Sequence, residues 1–179
     1  MAYDFSSFDT RAAGIVDWLQ KELGTVRTGR ATPTLLDSVQ VESYGARVPI
    51  TQVGTVGVED PRTLRINIWD KGQVKAVEKA ITEANLGLSV VVDDKGLRVI
   101  FPELTGERRE QLLKLAKSKL EESRVSLRSA RDEANKKLEA AELSEDDRKR
   151  AKEDLQKRVD AKNAELGGFF EDKEREVRL

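Results

Sequence analysis

Residues Arg108 to Lys137 read RREQLLKLAKSKLEESRVSLRSARDEANKK, and this stretch decides the fold. Apolar residues recur in it at steps of three and four, as they do on one face of an α-helix. These positions, which continue slightly past the stretch, are Ala116, Leu120, Leu127, Ala130, Ala134, Leu138 and Ala141. A helix with one narrow apolar stripe cannot bury that stripe alone, so the pattern predicts packing against other helices.

The same stretch carries an excess of positive charge. It holds ten Lys and Arg residues against five Asp and Glu residues, in a chain of formal net charge −1. Four of the cations form a second stripe about a quarter turn from the apolar one: Lys117, Arg124, Arg128 and Arg131. The three arginines have no acid at the i−4 position, so we interpret the stripe as a candidate phosphate-binding surface. A solvated helix face is the alternative that composition alone favours.

The composition excludes several classes of protein. The chain has no Cys and no His, so it has neither a disulfide framework nor the commonest general base and metal ligand. No apolar run reaches the roughly 20 residues of a membrane span. The N-terminal sequence MAYDFSSFDTR lacks the basic segment and apolar core of a signal peptide. We therefore expect a cytoplasmic protein that makes no membrane contact.

The rest of the chain divides into three blocks. Residues 1 to 30 predict a helix capped by Ser7 or Asp9, with apolar positions Phe8, Ala12, Ile15, Leu19, Leu23 and Val26. Residues 31 to 104 alternate β-branched and polar residues between turn signals. This pattern predicts strands around residues 39–41, 53–58, 64–68, 90–92 and 97–101, and one short helix from Val74 to Asn85.

Residues 105 to 179 predict two further helices. The first runs from about Glu107 to Ala141, and the second opens at an N-cap, Ser144, followed by an acidic first turn. Gly167-Gly168 predicts a bend or fraying in that last helix.

The fold class follows from these blocks. We predict an α+β protein: a three-helix bundle from residues 1–30 and 105–179, with a smaller β/α/β domain inserted at residues 31–104. The chain crosses between the domains twice, at residues 29–33 and 102–105. Two short adjacent crossings predict a hinge. Rigid crossings are the alternative, because Pro33 and Pro102 both stiffen the chain.

Enzymatic chemistry finds little support in the sequence. The paired carboxylates Asp93-Asp94 lie in a predicted turn, and Glu145-Asp146-Asp147 lies at a helix start, where local structure explains both. No glycine-rich phosphate loop is present. A triad cannot be assembled without His, although lysine-based nucleophiles stay open. We predict a binding protein rather than an enzyme, with no cofactor and no metal.

A second basic segment, RTGRATP, spans Arg27 to Pro33. It follows the first predicted helix, where Gly29 is placed to act as a C-terminal cap and the cations complement the helix dipole. The other interpretation is that Arg27 and Arg30 extend the arginine stripe toward the domain junction.

These residues, taken in order, carry a family resemblance. The segment RTGRATP is followed by Leu35-Leu36, Tyr44-Gly45 and Asp60-x-Arg62-Thr63-Leu64. Further matches are Trp69-Asp70-Lys71, Leu86-Gly87-Leu88, Leu104-Thr105-x-Glu107-Arg108-Arg109, Arg124-Val125-x-x-Arg128-x-x-Arg131 and Ser144-Glu145-Asp146-Asp147. Over nearly its whole length the chain resembles the ribosome recycling factors.

The resemblance implies a fold and a function. It implies an L-shaped, tRNA-like outline, and binding to the post-termination ribosome chiefly through large-subunit rRNA. It also implies splitting of that ribosome into subunits together with elongation factor G and GTP, by a factor that is monomeric in solution. The rRNA-contacting residues it implies are Arg27, Arg30, Arg109, Arg124, Arg128 and Arg131. The hinge residues it implies are Gly29, Ala31, Thr32, Pro33, Pro102, Leu104 and Thr105.

The chain departs from the family pattern at several positions. Asp132 stands where many members have a second arginine, which removes one positive charge beside Arg131 and adds a negative one. Ser89-Val90 replaces the usual Asn-Pro, and Gly106 replaces a commoner acid.

Two other classes of protein compete with this assignment. A helical adaptor would expose apolar, partner-sized patches and bind with little salt dependence, whereas phosphate contacts make affinity fall steeply with salt. A metal-dependent hydrolase would need several acids converging on one site.

Overall fold

The structure is a computed structural model of the chain, and it describes residues 3–179. Its helices are α1 (Ser6–Gly24), α2 (Val74–Glu83), α3 (Gly106–Ala140) and α4 (Glu145–Arg178). Its strands are β1 (Gln40–Ser43), β2 (Ala46–Pro49), β3 (Gly54–Asp60), β4 (Thr63–Ile68), β5 (Ser89–Asp93) and β6 (Gly96–Ile100). None of the helices in this part of the chain is long and apolar enough for a membrane span.

The chain forms two compact units. The first, here called the bundle, consists of the chain up to Arg27 together with Gly106–Arg178. The second, here called the small domain, consists of Thr28–Thr105. Each unit has a hydrophobic core of its own.

The bundle is built from α1, α3 and α4, and each of these helices contacts the other two. Six of the seven predicted apolar positions of α3 are buried, which confirms the stripe; Ala141 lies just past the helix and is half-buried. Ser123 joins the stripe as a fully buried polar residue, and its hydroxyl donates to the Leu120 carbonyl at 2.6 Å. The core of the bundle is therefore continuous along α3.

Helix α1 begins before both predicted caps and ends earlier than predicted. Neither predicted cap, Ser7 or Asp9, is correct: the Asp4 carboxylate accepts from the Ser6 N–H at 2.8 Å and from the Ser6 hydroxyl at 3.0 Å. These bonds from Ser6, the backbone one first, lower the pKa of Asp4. At the other end the predicted cap at Gly29 is also wrong, because α1 stops at Gly24. There the Thr25 hydroxyl donates to the Glu22 carbonyl at 2.7 Å.

Helix α4 begins at the predicted N-cap and runs through the glycine pair at which an irregularity was predicted. The Asp147 N–H donates to the Ser144 hydroxyl at 3.1 Å, which confirms the N-cap. The fraying predicted at Gly167-Gly168 as the alternative to a bend does not occur, since the helix runs unbroken to Arg178. Buried Leu166 and Val177 hold the helix on either side of the glycines. That packing outweighs the cost of about 1 kcal/mol for each glycine in a helix.

The small domain places α2 between two antiparallel sheets. One sheet is the β1–β2 hairpin, and the other has the strand order β3-β4-β6-β5. Helix α2 contacts β1 on one side and β5 and β6 on the other, and buries Val77 and Ile81. The predicted fold class, a three-helix bundle with an inserted β/α/β domain, is confirmed. Strand β2 is an addition, because ARVP carries no alternating pattern.

Two turns of the small domain depend on glycine. Tyr44 and Gly45 both have positive φ, 48° and 83°, and form a two-residue hairpin turn between β1 and β2. Gly96 has a φ of 140°, and a Cβ atom built there would lie 2.2 Å from the Ile66 carbonyl oxygen. The strands β4 and β6 can approach as closely as they do only because residue 96 lacks a side chain.

Candidate nucleic-acid interface

The predicted arginine stripe lies on one side of α3, next to its buried stripe. The side chains of Arg124, Arg128 and Arg131 are 38%, 59% and 36% exposed. Steps of four and three residues keep their guanidinium groups along one edge of the helix. These three residues are called the arginine stripe below.

Arg124 lies against helix α4. A Cβ atom built at Gly167 would lie 3.8 Å from Arg124 Nη2, so the guanidinium passes over a helix position that has no side chain. Arg124 Nη1 also donates to Glu121 Oε1 at 3.3 Å. Since 3.8 Å is an ordinary van der Waals distance, Arg124 lies directly beside Gly167, but an alanine would fit there as well.

Arg128 and Arg131 also have acidic neighbours. Arg128 Nη2 lies 3.9 Å from Glu121 Oε2, so that Glu121 serves two arginines. Arg131 donates through Nε and Nη2 to Asp132 Oδ1, at 3.1 and 2.9 Å. The absence of acids at the i−4 positions is correct, but it does not leave the stripe without acidic partners. The prediction considered only the i−4 position, whereas Glu121 is three residues before Arg124 and Asp132 directly follows Arg131.

A further cation of α3, Lys119, faces helix α1. Lys119 Nζ lies 3.2 Å from Glu22 Oε2 and 5.6 Å from the centre of the Trp18 ring. The hydrogen bond to Glu22 is the main cause of a raised pKa of Lys119. Since both partners lie on α1, Lys119 joins two helices of the bundle, a role that the charge count of α3 alone does not reveal.

Arg109 stands apart from the stripe on the same helix. It precedes Arg124 by 15 residues, which is about 22 Å along a helix. The residue is half-buried, and its Nε is buried without a hydrogen-bond partner among residues 3–179. The structure thus brings Arg124, Arg128 and Arg131 together and places Arg109 near the start of the helix.

Arg27 and Arg30 lie in the segment between α1 and the first turn of the small domain. Both are exposed, but Arg27 belongs to the bundle and Arg30 to the small domain. Because α1 ends at Gly24, neither arginine is on a helix. The predicted extension of the arginine stripe to Arg27 and Arg30 assumed that the first helix reached residue 30, whereas α1 ends at Gly24.

Ala31 of the first predicted hinge segment and Phe101, which directly precedes the second, both bond to the turn between β3 and β4. The Ala31 N–H donates to the Pro61 carbonyl at 2.7 Å, and the Phe101 N–H donates to the Arg62 carbonyl at 2.8 Å. A Cβ atom at Gly29 would lie 3.3 Å from the Pro102 carbonyl oxygen and 3.4 Å from Leu104 Cγ. The two segments are thus neighbours, and Ala31 is buried in the core of the small domain.

Residues 3–179 contain no cluster of three or more Asp and Glu side chains placed to hold a metal ion. The two acids beside the arginine stripe instead contact arginines. Fold and stripe together define a two-domain α+β protein: a three-helix bundle with an inserted small domain, whose longest helix carries a row of guanidinium groups.

The sequence is similar to those of known proteins over nearly its whole length. The sequence pattern of the family described as Ribosome recycling factor matches residues 19–177. Curated relatives called ribosome-recycling factor include that of Methylobacterium radiotolerans, 43% identical, and that of Erythrobacter litoralis, 44% identical. The alignments cover 98% of this chain and 96% and 97% of those relatives.

Solved structures give the same result. A solution structure of a ribosome recycling factor is 39% identical with a TM-score of 0.66, covering 97% of this chain and 95% of the other. A second structure contains the T. thermophilus ribosome recycling factor and E. coli elongation factor G bound to the E. coli post-termination complex. Its recycling factor is 39% identical with a TM-score of 0.60, covering 97% of this chain and 96% of the other.

These matches run over nearly the whole chain, and both of its units fall within them. The chain belongs to the ribosome recycling factor family, whose members are not enzymes.

Proposed function

We propose that this chain binds the post-termination ribosome and, with elongation factor G and GTP, promotes its dissociation into subunits for a new round of translation. The observation that carries this proposal is the match to the family over nearly the full length of the chain and of its relatives. The structural relative bound with elongation factor G to a post-termination complex supports the choice of partners.

We further propose that the arginine stripe contacts large-subunit rRNA, together with Arg27, Arg30 and Arg109. Phosphate oxygens match the planar, multiply donating guanidinium group, and the stripe arginines are between about a third and three fifths exposed. Their acidic neighbours are exposed too, so the ion pairs are weak and exchangeable.

The proposed hinge comprises residues 29–33 and 102–105, and the contacts of these residues support a position for the bend. Ala31 is held by a hydrogen bond and by burial, and Pro33 begins a short 3-10 helical turn. Backbone rotation is easier in residues 25–30, which lie outside helices and strands, and in Pro102–Thr105. Within the proposed hinge we therefore assign the backbone rotation to Gly29 and Arg30 and to Pro102–Thr105, and elongation factor G would drive the motion.

Two further features complete the proposal. A translation factor of this kind works in the cytoplasm, and this chain would act there as a monomer. Its own helices bury the apolar faces of the bundle, so no second copy is needed to complete the core.

The test is a splitting assay. Purified bacterial post-termination ribosomes are mixed with the chain, elongation factor G and GTP, and light scattering follows dissociation, with each component omitted in turn. Splitting that requires the chain, the GTPase and GTP together is the expected result.

Two other outcomes are informative. Ribosomes that bind the chain but stay intact would place the fault in partner recognition or in Asp132. A chain that does not bind ribosomes at all would refute the proposed function and favour the adaptor interpretation.

A further inference from the structure

Acidic side chains border the arginine stripe on its solvent side. At 100° per residue, positions 121, 128 and 132 of a helix fall within about 40° of one another. Glu121 and Asp132 are 50% and 60% exposed, so both carboxylates lie at the surface beside the guanidinium groups. A phosphate approaching the stripe would meet these carboxylates as well as the arginines.

The two acids occupy hydrogen-bond donors that a phosphate would use. Glu121 places one oxygen near Arg124 and the other near Arg128. Asp132 accepts from Nε and Nη2 of Arg131 through a single oxygen, and these two nitrogens form one edge of the guanidinium fork. Neighbouring helix residues do not face each other, so this contact depends on the side-chain conformations of Arg131 and Asp132.

We propose that Glu121 and Asp132 are positioning residues that occupy the arginine stripe in the free protein and are displaced when rRNA binds. This inference rests on the proposed function, because it assigns phosphates as the incoming ligand. Each binding event then exchanges an internal carboxylate for an external phosphate. Compared with a stripe that has no acidic neighbours, this exchange lowers both the affinity for rRNA and the salt dependence of that affinity. A lower affinity favours release of a factor that has to leave the ribosome after splitting.

The size of the effect follows from the exposure of the pairs. Exposed ion pairs contribute little to stability, so removing one carboxylate is expected to raise affinity by about two- to fivefold. Removal of the carboxylate also frees its arginine to displace counterions from the RNA. The slope of log affinity against log salt should therefore steepen by up to about one for each acid.

The test uses the full-length chain and the variants Asp132→Asn, Glu121→Gln and the double variant. Each is labelled on a single cysteine introduced at Lys95, an exposed turn residue, since the natural chain has no Cys. Fluorescence anisotropy then measures binding to purified bacterial large subunits over a series of KCl concentrations. We expect tighter binding and a steeper slope for each variant, with the double variant exceeding both.

Two controls separate this inference from a general effect of charge. Glu153→Gln, on an exposed position of α4, changes the net charge by the same amount away from the arginine stripe. Arg131→Ala combined with Asp132→Asn forms a double-mutant cycle that tests whether Asp132 acts through Arg131. Circular dichroism confirms that the near-isosteric variants keep the fold.

The outcomes are distinct. If Asp132→Asn matches Glu153→Gln in affinity and slope, or keeps its full effect in the Arg131→Ala background, the inference about Asp132 is overturned. The same affinity and slope for Glu121→Gln and Glu153→Gln would overturn the part about Glu121. If the unsubstituted chain does not bind large subunits, the proposed function fails instead.

Discussion

Arg131 is the residue whose replacement tests the proposed interface most directly. We expect Arg131→Glu to abolish subunit splitting and to weaken binding to large subunits by about 10- to 100-fold, since a hydrogen bond to a charged group contributes about 1.5–3 kcal/mol. The bundle should stay folded, because the side chain lies beside the buried stripe and is 36% exposed. Splitting, binding and far-ultraviolet circular dichroism check the three parts.

Arg175→Glu is the matched control for that substitution. Arg175 is 75% exposed near the end of α4, and its reversal changes the net charge by the same amount. It should leave binding close to that of the unsubstituted chain. Equal loss in both variants, or loss of helical signal in Arg131→Glu, would contradict the assignment.

Gly96 is the residue on which the small domain depends most sharply. Gly96→Ala should destabilise that domain by about 3 kcal/mol or more, because it adds strain at positive φ to a clash with the Ile66 carbonyl. Urea unfolding followed by Trp69 fluorescence, in a Trp18→Phe background, measures the change.

Gly57→Ala provides the comparison for Gly96. Gly57 also lies in a strand, β3, but a Cβ atom there would have no neighbour within 4 Å. Gly57→Ala should therefore lower the stability of the small domain only slightly, or even raise it. A similar urea midpoint for both alanine variants would show that the close approach of β4 to Gly96 does not determine the stability of the small domain.

Among the elements, the four-stranded sheet carries a network of charges across its exposed face. Arg65 Nη1 lies 2.5 Å from Asp93 Oδ2, and Arg98 Nη2 lies 2.7 Å from Glu59 Oε1. The arginine hydrogen bonds are the main reason that the pKa values of Glu59 and Asp93 are lowered, by Arg98 and Arg65 respectively. Arg65 Nη2 also lies 3.4 Å from Glu59 Oε1, so the network links all four strands, with one charged residue from each.

This network makes the stability of the small domain depend on pH. Because the two carboxyl pKa values are lower in the folded state, their contribution is fully present above about pH 4.5 and is lost as pH falls through the folded values. We expect Glu59→Gln/Asp93→Asn to be less stable than the natural chain at about pH 6. The difference should shrink as the pH is lowered below about 4.

Urea unfolding of the small domain at a series of pH values measures this convergence. The exposed Lys79–Glu83 pair on α2 offers a control, since both of its side chains are about 70% exposed and such pairs contribute little. Glu83→Gln should leave the pH profile unchanged. A constant gap between the double variant and the natural chain would refute the electrostatic account.

The elements differ in how well their sequences predict them. Helix α3 is predictable because its apolar residues keep the helical period along its 35 residues and no proline interrupts them. Strand β2 is not predictable from its own residues, because Val48 is the only β-branched one. The strand is specified by its pairing with β1. The continuity of α4 through Gly167-Gly168 likewise depends on tertiary packing, which local propensity does not contain.

The candidate interface shows the same division. Steps of three and four place Arg124, Arg128 and Arg131 on one edge of α3, and this arrangement is readable from the sequence. The ion-pair partners of these arginines cannot be read from the sequence, because Arg131 bonds to its own neighbour Asp132 and two arginines share Glu121. Such contacts depend on side-chain rotamers, which residue spacing does not fix.

At the scale of the whole molecule, the two units have separate cores. All buried residues of the bundle core come from α1, α3, α4 and Phe5, and those of the small-domain core lie between Ala31 and Phe101. We expect a variant with Thr28–Thr105 replaced by a short Gly-Ser linker to fold as a helical bundle and bind large subunits. It should not split ribosomes, because the proposed hinge and small domain are gone.

Thermal unfolding by circular dichroism, the binding assay and light scattering test these three expectations. The control is the same linker variant carrying Arg131→Glu, which should be folded but bind weakly. A linker variant that splits ribosomes as well as the natural chain would contradict the proposed role of the small domain. One that does not fold would show that the bundle needs its insert.

The hydrogen bonds from Ala31 and Phe101 to the turn at Pro61 and Arg62 also bear on how the chain folds. Helix α1 is synthesised well before α3 and α4, and joining them closes a loop the length of the small domain, at an entropic cost of about 4 kcal/mol. A small domain that has already folded holds the two ends of this loop together through one turn. The loop is then closed before the helices meet, so the order of synthesis favours assembly of the insert first and the bundle last.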